Sequence, residues 1–315
     1  MKGNVSRNYS FDTLKLICAI LVLVIHTPKK EGFWECVRPV CRCAVPLFFM
    51  ISGYFSYGKN NLDVVLRKRI IKILKILCWA FLLYFLVYVI KDSEGALKSL
   101  FRFASPSCII CNSLPVGLHL WFLSAYIYVL VVMLLVEKYN LYKPLFVITP
   151  ALFIVALVLG VYSERFLGYS LPLCSTRNFI FTGLPFFVLG MMIRKCEYFS
   201  RNLRWQVIVL CFVFYLVGVF EPLYANGVGD YYLSTIFLSV SIFILFINIK
   251  QTKDNVLSRM GREDSLYIYV FHLFIMESIS HSNPVIFYLK APIVLCLTLL
   301  LIFVLKKVKV IGKII

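Results

Sequence analysis

Lys15 and His26 stand eleven residues apart in one apolar run that opens Ser10-Phe11-Asp12-Thr13-Leu14-Lys15 and closes Val24-Ile25-His26-Thr27. At about 100° per residue, eleven helical steps return to within about 20° of the same face, and they climb roughly 16 Å. One stripe of one helix thus carries an ammonium near one end and an imidazole near the other. An imidazole titrating near about 6.5 is suited to taking a proton from a hydroxyl. The competing readings are structural: Lys15 snorkels to a membrane interface, and His26 is a satisfied interfacial histidine. Asp12 lies one turn before Lys15.

Further polar groups punctuate the apolar sequence. Arg42 precedes Cys43-Ala44-Val45-Pro46-Leu47-Phe48-Phe49-Met50-Ile51-Ser52-Gly53-Tyr54, where Pro46 removes a backbone donor and Gly53 a side chain, as in a kinked helix lining a cavity. In Arg67-Lys68-Arg69-Ile70-Ile71-Lys72-Ile73-Leu74-Lys75, positions 68, 72 and 75 share one helical face, as do 69 and 72. This ridge reads either as an anchor on anionic lipid or as a site for a phosphorylated molecule. His119-Leu120-Trp121-Phe122 joins a belt-type tryptophan to a histidine that anchoring does not require. Arg177-Asn178 opens another apolar run, Glu221-Pro222 ends one, and His272 falls in Tyr267-Ile268-Tyr269-Val270-Phe271-His272, where it reads as a buried, hydrogen-bonded core histidine.

The elements that must position these groups follow from composition. Of 315 residues 61% are hydrophobic and only 15% charged, which leaves too little polar surface to cover a water-soluble globule. The chain reads as all-α and polytopic, a single transmembrane domain over 1–315. Ten apolar runs are long enough to read as spans: 11–27, 37–57, 70–90, 117–136, 144–162, 178–193, 205–220, 230–249, 264–281 and 291–308. The loop around 91–116 is the longest and is expected to carry short structure of its own. No internal repeat stands out. With an even number of spans, 22 of the 33 Lys and Arg fall on the side of the termini and 10 on the other, so both termini are expected in the cytoplasm. The net charge of +18 is thereby explained by orientation rather than by a nucleic-acid partner. The first run lacks a small-x-small cleavage site and reads as an uncleaved helix.

Several chemistries are not supported. There is no Gly-rich phosphate loop, no Gly-x-Ser-x-Gly elbow and no His-Glu-x-x-His. Cys108-x-x-Cys111 lacks a second ligand pair for a metal site, so no metal is assigned. Cys36, Cys41, Cys43, Cys108, Cys111 and Cys174 fall near outward segments. Disulfides between the 36–43 group and Cys108 or Cys111 and free thiols at helix ends both remain open.

Taken in order, these segments resemble the acyltransferase-3 family of integral membrane acyltransferases. The stretches are Ser10–Lys15 with Val24–Thr27, Arg42 with Val45–Tyr54, the Arg69-bearing basic run, and His119–Phe122. Leu184-Pro185-Phe186-Phe187 with Gly190 and Leu266–Tyr269 with His272 complete the set. The resemblance covers nearly the whole chain and implies roughly ten spans in a bacterial inner membrane, with an essential histidine at His26. It implies acyl-CoA, most simply acetyl-CoA, as co-substrate with no bound cofactor, and a hydroxyl of a cell-envelope glycan or its lipid-linked precursor as acceptor. On that pattern Lys15, Arg69 and Lys72 bind the acyl donor, while Arg42, His119 and Arg177 orient the acceptor or stabilise the oxyanion. Where the family often has arginine, this chain has Lys15 and Lys72; lysine keeps the charge and loses the bidentate fork for phosphate. A permease for a small solute such as an amino acid, a glycan exporter and a non-catalytic assembly partner are the competing functions.

Overall fold

In the computed structural model, residues 8–28, 32–103, 112, 114, 116–196, 204–249, 251–279 and 284–308 are described; among them there are helices and no strand. In chain order the α-helices are α1 (Ser10–His26), α2 (Phe33–Arg42), α3 (Ala44–Tyr54), α4 (Leu62–Lys91), α5 (Ser93–Phe103) and α6 (Trp121–Lys138). They continue with α7 (Tyr142–Leu159), α8 (Ser163–Leu167), α9 (Leu184–Lys195), α10 (Arg204–Phe220), α11 (Leu233–Asn248), α12 (Val256–Glu263), α13 (Ser265–Glu277) and α14 (Pro284–Lys307). Short 3-10 turns cover Leu118–Leu120, Leu173–Ser175 and Glu221–Leu223, and a π turn at Phe179–Gly183 leads into α9. Each of the ten expected apolar runs overlaps a helix, though not over its full length, and the last two positions of 264–281 lie outside the described residues.

Length separates them. Six helical stretches are long and apolar enough to cross a membrane among the described residues: Phe33–Tyr54, Leu62–Lys91, Leu118–Lys138, Tyr142–Leu159, Trp205–Leu223 and Leu289–Lys307. Leu233–Asn248 and Ser265–Glu277 are shorter apolar helices. The chain is a multi-pass membrane protein by this measure. The 17 residues of α1 climb about 26 Å and the 13 of α13 about 20 Å, below the hydrocarbon thickness of about 30 Å. The apolar run 264–281 yields a short helix because α13 stops at Glu277, with the Ser278 hydroxyl donating back to the Phe274 carbonyl at 3.1 Å. Conversely α4 has 30 residues and begins at Leu62, before the expected start of the span at position 70; Arg67, Lys68 and Arg69 of the basic ridge lie on those earlier turns. The long loop after α4 does hold a helix, α5.

The described residues form two compact units. The first lies within Met1–Phe48, Cys196–Pro222 and Leu233–Val308. At its centre is α1, packed against α2, α11, α12, α13 and α14. Nine of its residues are buried, spread around the helix, as expected of a helix surrounded by others. The closest approach is to α12, where a Cβ on Gly261 would run into the carbonyl oxygen of Asp12. Cys43 alone separates α2 from α3 and keeps near-helical backbone angles, so Phe33–Tyr54 runs on as one helical stretch. Pro46 has no N–H to donate to the Arg42 carbonyl four residues back, which removes one rung of the ladder there. At the other end of this unit, the buried Glu221 carboxylate accepts the backbone N–H groups of Leu233 and Ser234, each at 2.9 Å, and so caps α11 from outside its own segment.

The second unit lies within Phe49–Lys195 and Leu223–Tyr232. Here the C-terminal half of α3 crosses α9 at backbone contact: Gly53 faces the Phe187 carbonyl and Gly190 faces the Met50 carbonyl, with no room for a Cβ at either. Phe186 and Phe187 are fully buried beside this crossing. The π turn packs between α6, α7 and α9. Asn178 starts it by accepting the N–H groups of Ile180 and Phe181, each at 3.0 Å, while Asn112 accepts that of Phe179 at 2.9 Å.

Candidate functional site

His26 is the last residue of α1. The helix stops there because Thr27 turns extended, its hydroxyl and N–H both donating to the Val24 carbonyl, and Pro28 follows. The His26 ring is exposed, and its centroid lies 5.3 Å from that of His272 on α13, with the planes tilted by 41°. His272 is wholly buried. Its Nδ1 lies 2.7 Å from the Tyr269 carbonyl oxygen and 3.2 Å from that of Ile268. A carbonyl oxygen only accepts, so Nδ1 carries the proton and donates, and in the neutral ring the lone pair is on Nε2. Just below, Leu23 of α1 packs with Met276 and Val294, which fixes α1, α13 and α14 together at the level of the two rings.

The opposite end of α1 is ionic. Asp12 is buried and accepts the Lys15 ammonium at 2.9 Å. A second cation, Arg262 on α12, approaches the same carboxylate at 3.9 Å and pairs with Asp254 at 3.1 Å. Arg262 is placed by the capping box of α12, in which Asn255 and Ser258 exchange hydrogen bonds of 2.9 Å while the Ser258 hydroxyl donates to Asp254 at 2.6 Å. Hydrogen bonds from Arg262 and then Ser258 hold the Asp254 carboxyl below the usual carboxylate range, and Asp254 in turn raises the Arg262 guanidinium. Lys306 closes the group on Asp264 at 2.6 Å and Glu263 at 3.3 Å.

The second unit holds the other sequence candidates. Arg69 is half-buried and donates to the Ser56 hydroxyl at 2.8 Å, which itself donates to the Ser52 carbonyl at 2.7 Å. Lys72 is exposed, as are Arg67, Lys68 and Lys75. The shared face of Arg69 and Lys72 therefore divides: the first guanidinium turns into the protein and the lysines line its surface. His119 is buried in the 3-10 turn before α6, its ring edge-on to Tyr84 with centroids 4.9 Å apart. Arg177 is locked from both sides. Its Nε donates to Asp230 at 2.7 Å and a second nitrogen to the other carboxylate oxygen, a forked pair, while the guanidinium sits 5.6 Å over the Trp121 ring.

Lys15, His26 and Arg42 thus belong to the first unit, and Arg69, Lys72, His119 and Arg177 to the second. Arg42 is half-buried at the α2–α3 junction, on a helix that packs against α1. Sequence reasoning took His272 as a core histidine; it is one, and it also faces His26. Asp230 and Arg262 were not singled out. A signal for Arg262 existed in principle, since buried Asp12 requires more compensation than one half-exposed lysine supplies. Nothing local pointed to Asp230. Cys36, Cys41, Cys43 and Cys174 are free thiols, while Cys108 and Cys111 lie outside the described residues.

Comparison with known proteins adds the following. A family profile described as an acyltransferase domain matches residues 8–307. The chain is 25% identical over 299 residues to a protein named serine/alanine racemase from Enterococcus gallinarum, a match covering 84% of this chain and 40% of that protein. It is 22% identical over 309 residues to one named amino-acid racemase from Enterococcus faecalis, covering 89% of this chain and 43% of the relative. The chain therefore spans about two fifths of the length of these curated relatives. No solved structure matches it.

Proposed function

The chain belongs to the acyltransferase-3 family, and from that membership we propose that it is a membrane O-acyltransferase of the bacterial inner membrane. It moves an acyl group, most simply acetyl, from acyl-CoA to a hydroxyl of a cell-envelope polysaccharide or its lipid-linked precursor. The observation that carries this reading is His26, an exposed imidazole ending the central helix of its unit and seated 5.3 Å from a second imidazole.

An alcohol attacks a thioester slowly until a base takes its proton, and His26 is the group suited to do so. The alternative route, in which His26 accepts the acyl group before passing it on, uses the same exposed ring. Arg69 and Lys72 serve the phosphates of the donor. Arg69 uses one of its five N–H donors on Ser56 and keeps its fork for an anion. Lys15 serves the donor only while shared with Asp12, which makes it the weakest of the three for that role. Arg42, His119 and Arg177 orient the acceptor or stabilise the tetrahedral oxyanion. The forked bond to Asp230 suits Arg177 to holding geometry more than to binding a moving substrate.

The test uses purified full chain in detergent with labelled acetyl-CoA and a membrane glycan extract. His26→Ala is expected to lose transfer by on the order of 10²–10⁴-fold while keeping its fold, because the ring is exposed. A folded His26→Ala protein that acetylates at the wild-type rate removes this proposal.

A second reading is favoured by the names of the relatives, which act on amino acids: the unit is a permease for a small amino acid. More than half of each relative lies outside the match, so racemisation itself is not carried over. Serine or alanine flux into proteoliposomes without acyl-CoA decides for transport; label transfer without flux decides against it.

A further inference from the structure

The outward face of α4 carries three exposed cations that the proposed reaction does not use: Arg67, Lys68 and Lys75. Leu66, Ile73, Ile76, Ala80 and Tyr84 form the buried stripe of this helix, and half-buried Arg69 falls on their side. At about 100° per residue the three cations lie on the opposite half, Lys68 and Lys75 within about 20° of one another. Lys72 sits at the flank of that half, toward Arg69. The same half continues as apolar surface: Trp79 is 53% exposed, and Leu82 and Leu86 follow at 46% and 51%. In a helix long enough to cross a membrane, an apolar face left open by the protein meets lipid.

Depth follows from length. Counting back from Lys91, about 20 residues at about 1.5 Å each fill a hydrocarbon core of about 30 Å. Lys75 then lies about one turn inside the edge, from where its stem carries the ammonium outward, and Arg67 and Lys68 lie about one turn outside it. All three charges thus converge on the level of headgroup phosphates. From Arg67 to Lys75 the helix has five cations, and its one acidic residue is Asp63.

We propose that Arg67, Lys68 and Lys75 form a binding site for the headgroup phosphate of an anionic phospholipid, on the face of α4 turned to the membrane. Ile71, 55% exposed between Arg67 and Lys75, gives the upper acyl chain an apolar contact. Each cation at the membrane surface strengthens such binding by a factor of about five, so the three together contribute on the order of a hundredfold. The site is distinct from Arg69, whose guanidinium turns inward to Ser56, and it does not depend on the acyltransferase reading.

The test reconstitutes the full chain in phosphatidylcholine vesicles with increasing phosphatidylglycerol. Bromine on the upper acyl chain of either lipid quenches nearby tryptophan, and Trp79 stands one turn beyond Lys75. Its signal is the difference between each protein and its own Trp79→Phe counterpart. At equal bromine content, brominated phosphatidylglycerol is expected to quench Trp79 more than brominated phosphatidylcholine, with an excess that saturates and shrinks in salt. Lys68→Gln and Lys75→Gln are each expected to raise the half-saturating phosphatidylglycerol fraction about fivefold, and the triple variant with Arg67→Gln to abolish saturation. Lys68→Arg with Lys75→Arg is expected to keep the excess. Equal quenching by the two lipids in the wild type overturns the proposal, as does an unchanged excess in both single variants or in the triple variant. Inorganic pyrophosphate that removes the excess at constant ionic strength assigns these cations to a soluble phosphate, and overturns it as well.

Discussion

The Asp12 carboxylate holds the Lys15 ammonium at 2.9 Å across one turn of α1, and the same carboxylate stands 3.9 Å from Arg262 on the neighbouring α12. One buried anion therefore answers two cations on two helices, at a point where Gly261 lets the backbones touch. Asp12→Asn keeps the volume and removes the charge. Breaking a fully buried pair costs about 3–5 kcal/mol, but Lys15 and Arg262 are 30% and 29% exposed, and water answers part of their charge. The expected loss is about 1–3 kcal/mol, read as a lower melting temperature in detergent. Lys15→Arg should cost little. If Asp12→Asn melts with the wild type, Asp12 does not tie α1 to α12.

The forked pair between Arg177 and Asp230 makes a second prediction. Arg177→Lys keeps the charge and loses the two-point geometry, so it should behave as Asp230→Asn does. Each should cost about 1–2 kcal/mol, and the double variant little more than either alone. A double-mutant cycle with additive losses would show that the two side chains do not act together. Transfer activity measured on the same variants separates a holding role from a substrate role: a substrate role for Arg177 predicts loss of activity in Arg177→Lys alone.

At the α3–α9 crossing, Gly53→Ala and Gly190→Ala each force a methyl group against a backbone carbonyl. Backbone cannot move aside as a side chain does, so each change is expected to cost about 1–3 kcal/mol, and the pair to abolish recovery of monodisperse protein. The measurement is yield and elution profile after extraction. Wild-type behaviour of both single variants would mean that the helices do not meet at these glycines.

Acid should weaken α12 before it weakens its neighbours. The Asp254 carboxyl is held below its ordinary value by Arg262 first and Ser258 second. For a carboxyl lowered in the fold, the stabilisation is complete above the unfolded value of about 3.9 and is lost as pH falls through the folded one. Asp254→Asn should therefore flatten the acid side of a melting-temperature profile taken from roughly pH 7 to pH 3, and added salt should shrink the difference because the pair is exposed. Identical acid limbs in the two proteins would contradict the assignment.

Much of the fold could be read from short stretches. Each apolar run overlaps a helix, Pro46 removed one rung from the second span, and Asn178 opened the sixth as its side chain allows. His26 was legible as a candidate because its spacing from Lys15 is a property of one helix. The lengths were less legible. The expected span at 264–281 ends at Glu277, and α4 begins before position 70, because ends are set by capping bonds and charged turns as well as by hydropathy.

The sequence by itself determined that this is an all-helical membrane protein of an acyltransferase family, and it singled out His26. Only the tertiary structure decided that His26 faces His272, that Asp12 answers Arg262 as well as Lys15, and that Arg177 is claimed by Asp230. The reason is the range over which each signal acts. Apolar periodicity and capping are written within one helix. Which side chains meet across helices depends on how several helices cross, and that is settled by close packing summed over all of them.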